Sequence, residues 1–506
     1  MSGQSLTRYS LAFVVLQVVW FGQPVSAQVP LPPDLISPQV PHDVPTGSAA
    51  SIQDFAVFGW REFIALNWTA MDPATTGMRG RANVNSNFLT INADSGGSYP
   101  LLVWQTYRHK NELFPADGQT DPSFDSSAPP SYKYRFPATA AGNATYNLFN
   151  NLDESSEISL CQMFAHADTR IVYEAKVNRA VFDYANKNGL TQCDKNQNCK
   201  VLFTTLGNTT MNNLAQYGGS CKTDSSTPIV SLPCGDATME GDAGEGAIEI
   251  KAAWRQLTDA EMASGRFYTR KVIYYQGGGG SQSQGSQQYY NAVFGLVGLH
   301  IIHKTKSFPT FVFATWEQVD NFDDSTNTNT EKLTFINVGT PLKNIPVTRA
   351  HPIHSQIPPV NDAVHALFKA QAPNSVWQYY KLVGVQAMPM DGPPPSQASS
   401  DTNSYYYLAN IVVETNQTLQ NFFGQAPTGV TQALKNVYLN GTAGSPFQMG
   451  GCQGCHGAEG QANGADMSAV IAFAPFNSNN VAESIDLEPE PSLRSYRART
   501  AAKNPR

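Results

Sequence analysis

The chain has 506 residues, with 33 Lys and Arg against 40 Asp and Glu, and a formal net charge of −7. That balance argues against nucleic acid or an anionic membrane as partner. Only 14% of the residues are charged, while Gly and Pro number 39 and 33, a composition of strands and loops that sets aside a long helical bundle.

Residues 1 to 27 read as a secretory signal. Arg8 precedes an apolar core, Leu11 to Leu16 and Val18 to Phe21, and Val25-Ser26-Ala27 forms a small-residue cleavage site before Gln28. The core is too short, and too interrupted by Gln17, to span a bilayer. No later segment approaches a spanning length, so the expectation is a soluble, exported chain of about 480 of the 506 residues in a periplasmic or secreted setting. That length suits two or three domains or one large elaborated one.

Gln28 to Gly47 is a Pro-rich, extended lead-in. Ser51 to Trp68 has the period of a helix, with Phe55, Phe58, Phe63, Leu66 and Asn67 recurring and Ser51 as N-cap; its aromatics mark a buried packing helix. Val177, Ala180, Val181 and Tyr184 place a second helix over Tyr173 to Asn188, closed by Gly189. Cys161, Cys193, Cys199, Cys221 and Cys234 lie outside the C-terminal motif described below. Their odd number allows two disulfides at most. Cys193 with Cys199, and Cys221 with Cys234, would each close a polar loop in an oxidising compartment.

Ala247 to Leu257, Phe267 to Gln276, Tyr290 to Thr305 and Thr310 to Asp320 are four β-like runs rich in Val, Ile, Phe, Tyr and Trp. Gly277 to Gln288 is a flexible hairpin excursion. Short links between consecutive strands predict an α+β, β-rich fold whose body is an antiparallel sheet, as a sandwich or open barrel. Two His-x-x-His pairs occur, His300/His303 and His351/His354. On a strand the odd separation sends His300 and His303 to opposite faces, which disfavours a shared metal. His351 and His354 flank Pro352 in a loop, where the spacing carries no helical meaning. Glu317 and Asp320, beside Trp316, read either as groups supporting a site or as strand-end surface charge.

Met388 to Pro395 is a second Pro-rich break. It divides a body at 28–391 from a linker at 392–404 and a C-terminal region at 405–506, whose tail beyond Asn477 lacks a core pattern. Within that region stands Cys452-Gln453-Gly454-Cys455-His456, the pattern that attaches haem c. Two thiols three residues apart reach the two vinyl groups of one porphyrin, and the next imidazole, His456, falls beneath the iron as proximal ligand. Gly450, Gly451, Gly454 and Gly457 clear side chains where a flat macrocycle meets the backbone. Zinc would need further ligands at matching spacing, and no second Cys-x-x-Cys occurs in the sequence. A redox dithiol belongs after a strand in a βαβ unit, not in a Gly-rich loop. One covalent haem is the expected cofactor.

Only 50 residues follow His456, and Met467 is the one methionine among them. A small cytochrome fold closing over its haem downstream of the motif has no room here, so the body must cover the haem. Met467, Met388, Met390 and His300 are the candidate sixth ligands. A protein ligand there makes an electron carrier; an open position admits peroxide or oxygen chemistry.

The runs Tyr173 to Arg179, Ile248 to Arg255, Gly295 to His300 and Ala314 to Asn321, with the terminal Cys-x-Gly-Cys-His-Gly, together resemble bacterial exported proteins called cytochrome c family proteins. The likeness covers most of the mature chain. It implies one covalent haem and an exported setting, and no substrate. The family pattern includes the His300 position and commonly has an aromatic where Met467 stands, which favours His300 as the second metal candidate beside His456.

Three functions follow from these observations: an exported monohaem electron carrier with an unknown redox partner; a haem-dependent peroxidase or oxygenase with a small-molecule pocket in the body; and a binding protein with structural haem. The first leads because the sequence has no Gly-x-Ser-x-Gly, no phosphate-binding glycine loop and no His-Glu-x-x-His.

Overall fold

The β-like runs in the middle of the chain become strands close to where their residues place them. The computed structural model describes residues 29–114, 123–127, 149–154, 161–166, 169–190, 221, 230–276, 288–337, 345–347, 349, 353–387, 410–413, 456, 466 and 468–473. Its strands, in chain order, are β1 (Arg108–His109), β2 (Cys161–Ala165), β3 (Thr169–Arg170), β4 (Val172–Val177), β5 (Ile248–Gln256), β6 (Thr269–Gln276), β7 (Gln288–His303), β8 (Val312–Gln318), β9 (Thr334–Asn337), β10 (Ile345–Pro346) and β11 (Tyr380–Gln386). Seven of them form one sheet, ordered β1-β4-β5-β7-β8-β11 with β6 also on β7. Every pairing in it is antiparallel. A second sheet runs β10-β9-β2-β3. The fold is α+β and β-rich, and the large sheet is open rather than closed into a barrel.

Register fixes the two faces of the large sheet. Ile250, Ile301 and Ala314 are cross-strand neighbours, as are Ala252, Leu299 and Trp316; side chains alternate along a strand, so these six share one face. Helix α1 (Ile52–Leu66) packs there. Ser51 starts it with a capping box, accepting from the Asp54 amide at 3.2 Å while its own amide donates to the Asp54 carboxylate at 2.8 Å. Phe55, Phe58, Trp60 and Phe63 then bury the helix as its aromatic spacing predicts. Gly59 marks the closest approach, since a methyl there would lie 3.3 Å from Ala314 Cβ.

The expected helix over Tyr173 to Asn188 is half strand. Residues 172–177 pair with β5 from Val172↔Trp254 to Val177↔Glu249, and the helix α2 is confined to Arg179–Lys187. Val172, Tyr173 and Val177 are strong strand formers, and pairing with β5 outweighs the helical period of the following residues. Asn178 caps α2, accepting from the Val181 amide, and Gly189 takes the left-handed conformation at φ 68° that ends it.

Helices α3 (Asp259–Ser264) and α4 (Pro358–Gln371) complete this part of the fold. Asn361 of α4 accepts from the Trp60 indole at 3.0 Å and donates to the Leu382 carbonyl at 2.8 Å, joining α1, α4 and β11. Cys221 and Cys234 are bonded, their Cα atoms 5.4 Å apart. Cys193, Cys199, the signal segment, the 277–287 excursion and the 392–404 linker lie outside the described residues. No helix among the described residues is long and apolar enough to cross a membrane.

Candidate functional site

His300 and His303 point to opposite faces of β7, as their odd separation dictates. His303 faces α1. Its Nδ1 meets the Glu62 carboxylate and its Nε2 the Glu245 carbonyl. Burial works against an imidazolium, but an acceptor on each ring nitrogen more than offsets it and raises the pKa of His303. His303 therefore ties α1 to the sheet.

His300 lies on the other face with Lys251 and Thr315, its cross-strand neighbours, and with Glu249, Ile302 and Phe313 one step along. Its ring is 6.0 Å from that of buried Phe313. The C-terminal motif meets the same ring: His456 lies 4.9 Å from the Phe313 ring, edge-on at 66°. Both candidate iron ligands thus touch one aromatic side chain. Cys452, Cys455, Met467, Met388, Met390 and His351 lie outside the described residues.

Short C-terminal pieces flank this contact. Ile411, Val412 and Val413 fill a second apolar core, with Met163 and Ala165 of the small sheet and Tyr173, Ala253 and Val297 of the large one. Gly298 is bare because of them. A methyl on Gly298 would come 2.5 Å from Val412 and 2.7 Å from Val413. Gly298, two residues before His300, leaves no room for a planar group: two valines occupy that space. Farther along, α5 (Ala469–Phe473) lies against the sheet through buried Ile471.

Glu317 is no surface charge. It is fully buried, holds Arg349 through both carboxylate oxygens at 3.2 and 2.6 Å, and accepts the Ile411 amide at 2.6 Å. Asp320 instead pairs with half-exposed Arg266.

Glu249 is buried beneath α5, where Ser468 donates to its carboxylate. Burial pushes its pKa up to about 7, against the Ser468 and Val470 hydrogen bonds. An acid raised in the folded state contributes full stability below its unfolded pKa and loses it as pH rises through the folded value. Glu249→Gln, a neutral mimic, is expected to match the parent chain at about pH 4 and to exceed it by roughly 3 kcal/mol at pH 8. Denaturant midpoints at both pH values check this; parallel curves for the two proteins would refute the assignment.

One further group brings ligand atoms close together. His166, Glu261 and Glu331 each offer one within 4.8 Å of the others. The Arg255 guanidinium already sits on both carboxylates, at 2.6 and 2.7 Å, and the Glu261 and Glu331 hydrogen bonds raise His166 to about 9. This is a neutralised ion-pair knot between α3 and the β2–β3 turn.

The donor set Cys452, Cys455 and His456 suits a haem by its chemistry. The Cys-x-x-Cys-His pattern supplies two thiols and an imidazole, and His456 and His300 each contact the Phe313 ring. Sequence reasoning missed Phe313, Asn410, Asp466 and Glu249. Only Glu249 left a local sign, a lone acid in the buried run Ile248-Glu249-Ile250; the others act on groups more than ninety residues away. No protein-family model, curated protein or solved structure matches the chain.

Proposed function

We propose that the chain is an exported, periplasmic or secreted monohaem c-type cytochrome that transfers electrons, in keeping with its resemblance to cytochrome c family proteins. Cys452 and Cys455 would hold the haem covalently, and His456 would bind its iron. The observation that carries this reading is the seating of His456 against Phe313, the ring that His300 also touches. The haem supplies one-electron chemistry when bound. The chain's own part would be to orient His456 against the apolar Phe313 ring and to offer His300 as a second ligand or as lining of the pocket.

Visible spectroscopy of the purified protein separates carrier from enzyme. A low-spin ferric spectrum insensitive to cyanide and peroxide, and a ferrous spectrum insensitive to carbon monoxide, are expected; ready binding of these molecules would favour the peroxidase or oxygenase alternative. His456→Ala is expected to retain covalent haem and lose the histidine-ligated spectrum. An unchanged spectrum would remove His456 from the iron.

A further inference from the structure

The chain is fastened to the sheet on both sides of His456 by buried polar groups. On the N-terminal side, Asn410 donates to the Thr315 hydroxyl at 2.7 Å and the Trp316 carbonyl at 3.0 Å. Its side-chain oxygen accepts the Val412 and Val413 amides at 2.9 and 3.0 Å. Glu317 takes the Ile411 amide, and the Tyr173 hydroxyl donates to the Val412 carbonyl at 2.9 Å. On the C-terminal side, the Lys304 ammonium meets Asp466, which also accepts the Leu232 amide at 2.6 Å. Ser468 links α5 to Glu249 and accepts the Ile471 amide at 3.0 Å.

These groups are as buried as the core: Asn410 and Ser468 are 1% exposed, and Glu317 and Lys304 not at all. A polar group taken from water is costly unless it keeps its own partner, so each fastening selects one seating. Their positions are complementary. The first covers Gly298 and the second meets Lys304, six residues or about 20 Å apart along the sheet. His300, Ile302 and Phe313 occupy the stretch between.

We propose that Asn410, Glu317, Lys304 and Asp466 are positioning residues that clamp the chain on both sides of His456 and so set its ring on Phe313 beside His300. The purpose of the clamp rests on the haem reading; the fastening of the two segments does not.

The test uses the full-length chain carrying its haem, with Asn410→Ala, Gly298→Ala, Asp466→Asn and Tyr173→Phe. Amide hydrogen exchange reads the fastening, and the ligation spectrum and midpoint potential read the position of His456. Asn410→Ala and Gly298→Ala are expected to speed exchange of residues 411–413 by about tenfold or more, with a changed spectrum and potential. Haem content should stay at one per chain, because attachment resides in Cys452 and Cys455. Wild-type exchange in both variants would overturn the clamp. Faster exchange with a wild-type spectrum and potential would overturn the positioning role. Tyr173→Phe removes a single hydroxyl and decides the matter by the same readouts if the stronger variants fail to fold. A parent chain without covalent haem would refute the haem reading alone, leaving exchange to judge the clamp.

Discussion

Cys452→Ala/Cys455→Ala yields a chain with no covalent haem. In the proposed attachment each thiol would make one thioether to the porphyrin, so the double change would remove both bonds and leave His456 with at most a dissociable haem. Haem-specific staining after denaturing electrophoresis should fall from one strong band at the chain's mass to nothing. The body should still fold. Among the described residues its aromatic core between α1 and the sheet is built without either cysteine, and the Cys221–Cys234 bond is untouched. Loss of stain in a protein with parental circular dichroism therefore reports attachment rather than misfolding. A stained band surviving the double change would end the attachment claim.

His303→Leu should destabilise the body by about 3–5 kcal/mol, the cost of stranding one partner of a buried pair. Glu62 and His303 are both fully buried. With the imidazole gone, the Glu62 carboxyl keeps no cationic neighbour on the sheet, and its Oε2 already has no hydrogen-bond partner among the described residues. Glu62→Leu/His303→Leu removes both polar groups and should recover most of the loss, because well-packed apolar pairs substitute for buried ionic ones at little cost. Chemical denaturation of the two single variants and the double one measures the coupling. If the double variant is no more stable than His303→Leu, the pair is not what ties α1 to β7.

Local chemistry made much of the body legible. The Ser51 cap and aromatic spacing located α1, and four runs of β-branched and aromatic residues located β5 to β8, because those signals lie within the segments themselves. Parity along β7 separated His300 from His303 before any contact was known. Failures came where distant residues decide the outcome. Tyr173 to Val177 read as helix because α2 follows at once, yet β5 claims those residues for the sheet. Nothing near Gly298 in the chain announces Val412 and Val413, over a hundred residues later, which fill the space above it. Glu317 read equally as surface charge because its partners, Arg349 and the Ile411 amide, arrive from loops without pattern. At the candidate site, the attachment motif and His300 were visible from spacing and strand context. Phe313, the ring that brings His300 and His456 together, was one apolar residue among many.

Mass spectrometry of the purified chain and of its peptides tests the central claim most directly. The account predicts one haem per chain, carried on the peptide that contains Cys452 to His456, with both cysteines as thioethers. Recovery of that peptide with two free thiols, or with Cys452 bonded to Cys455 and no haem, would contradict it.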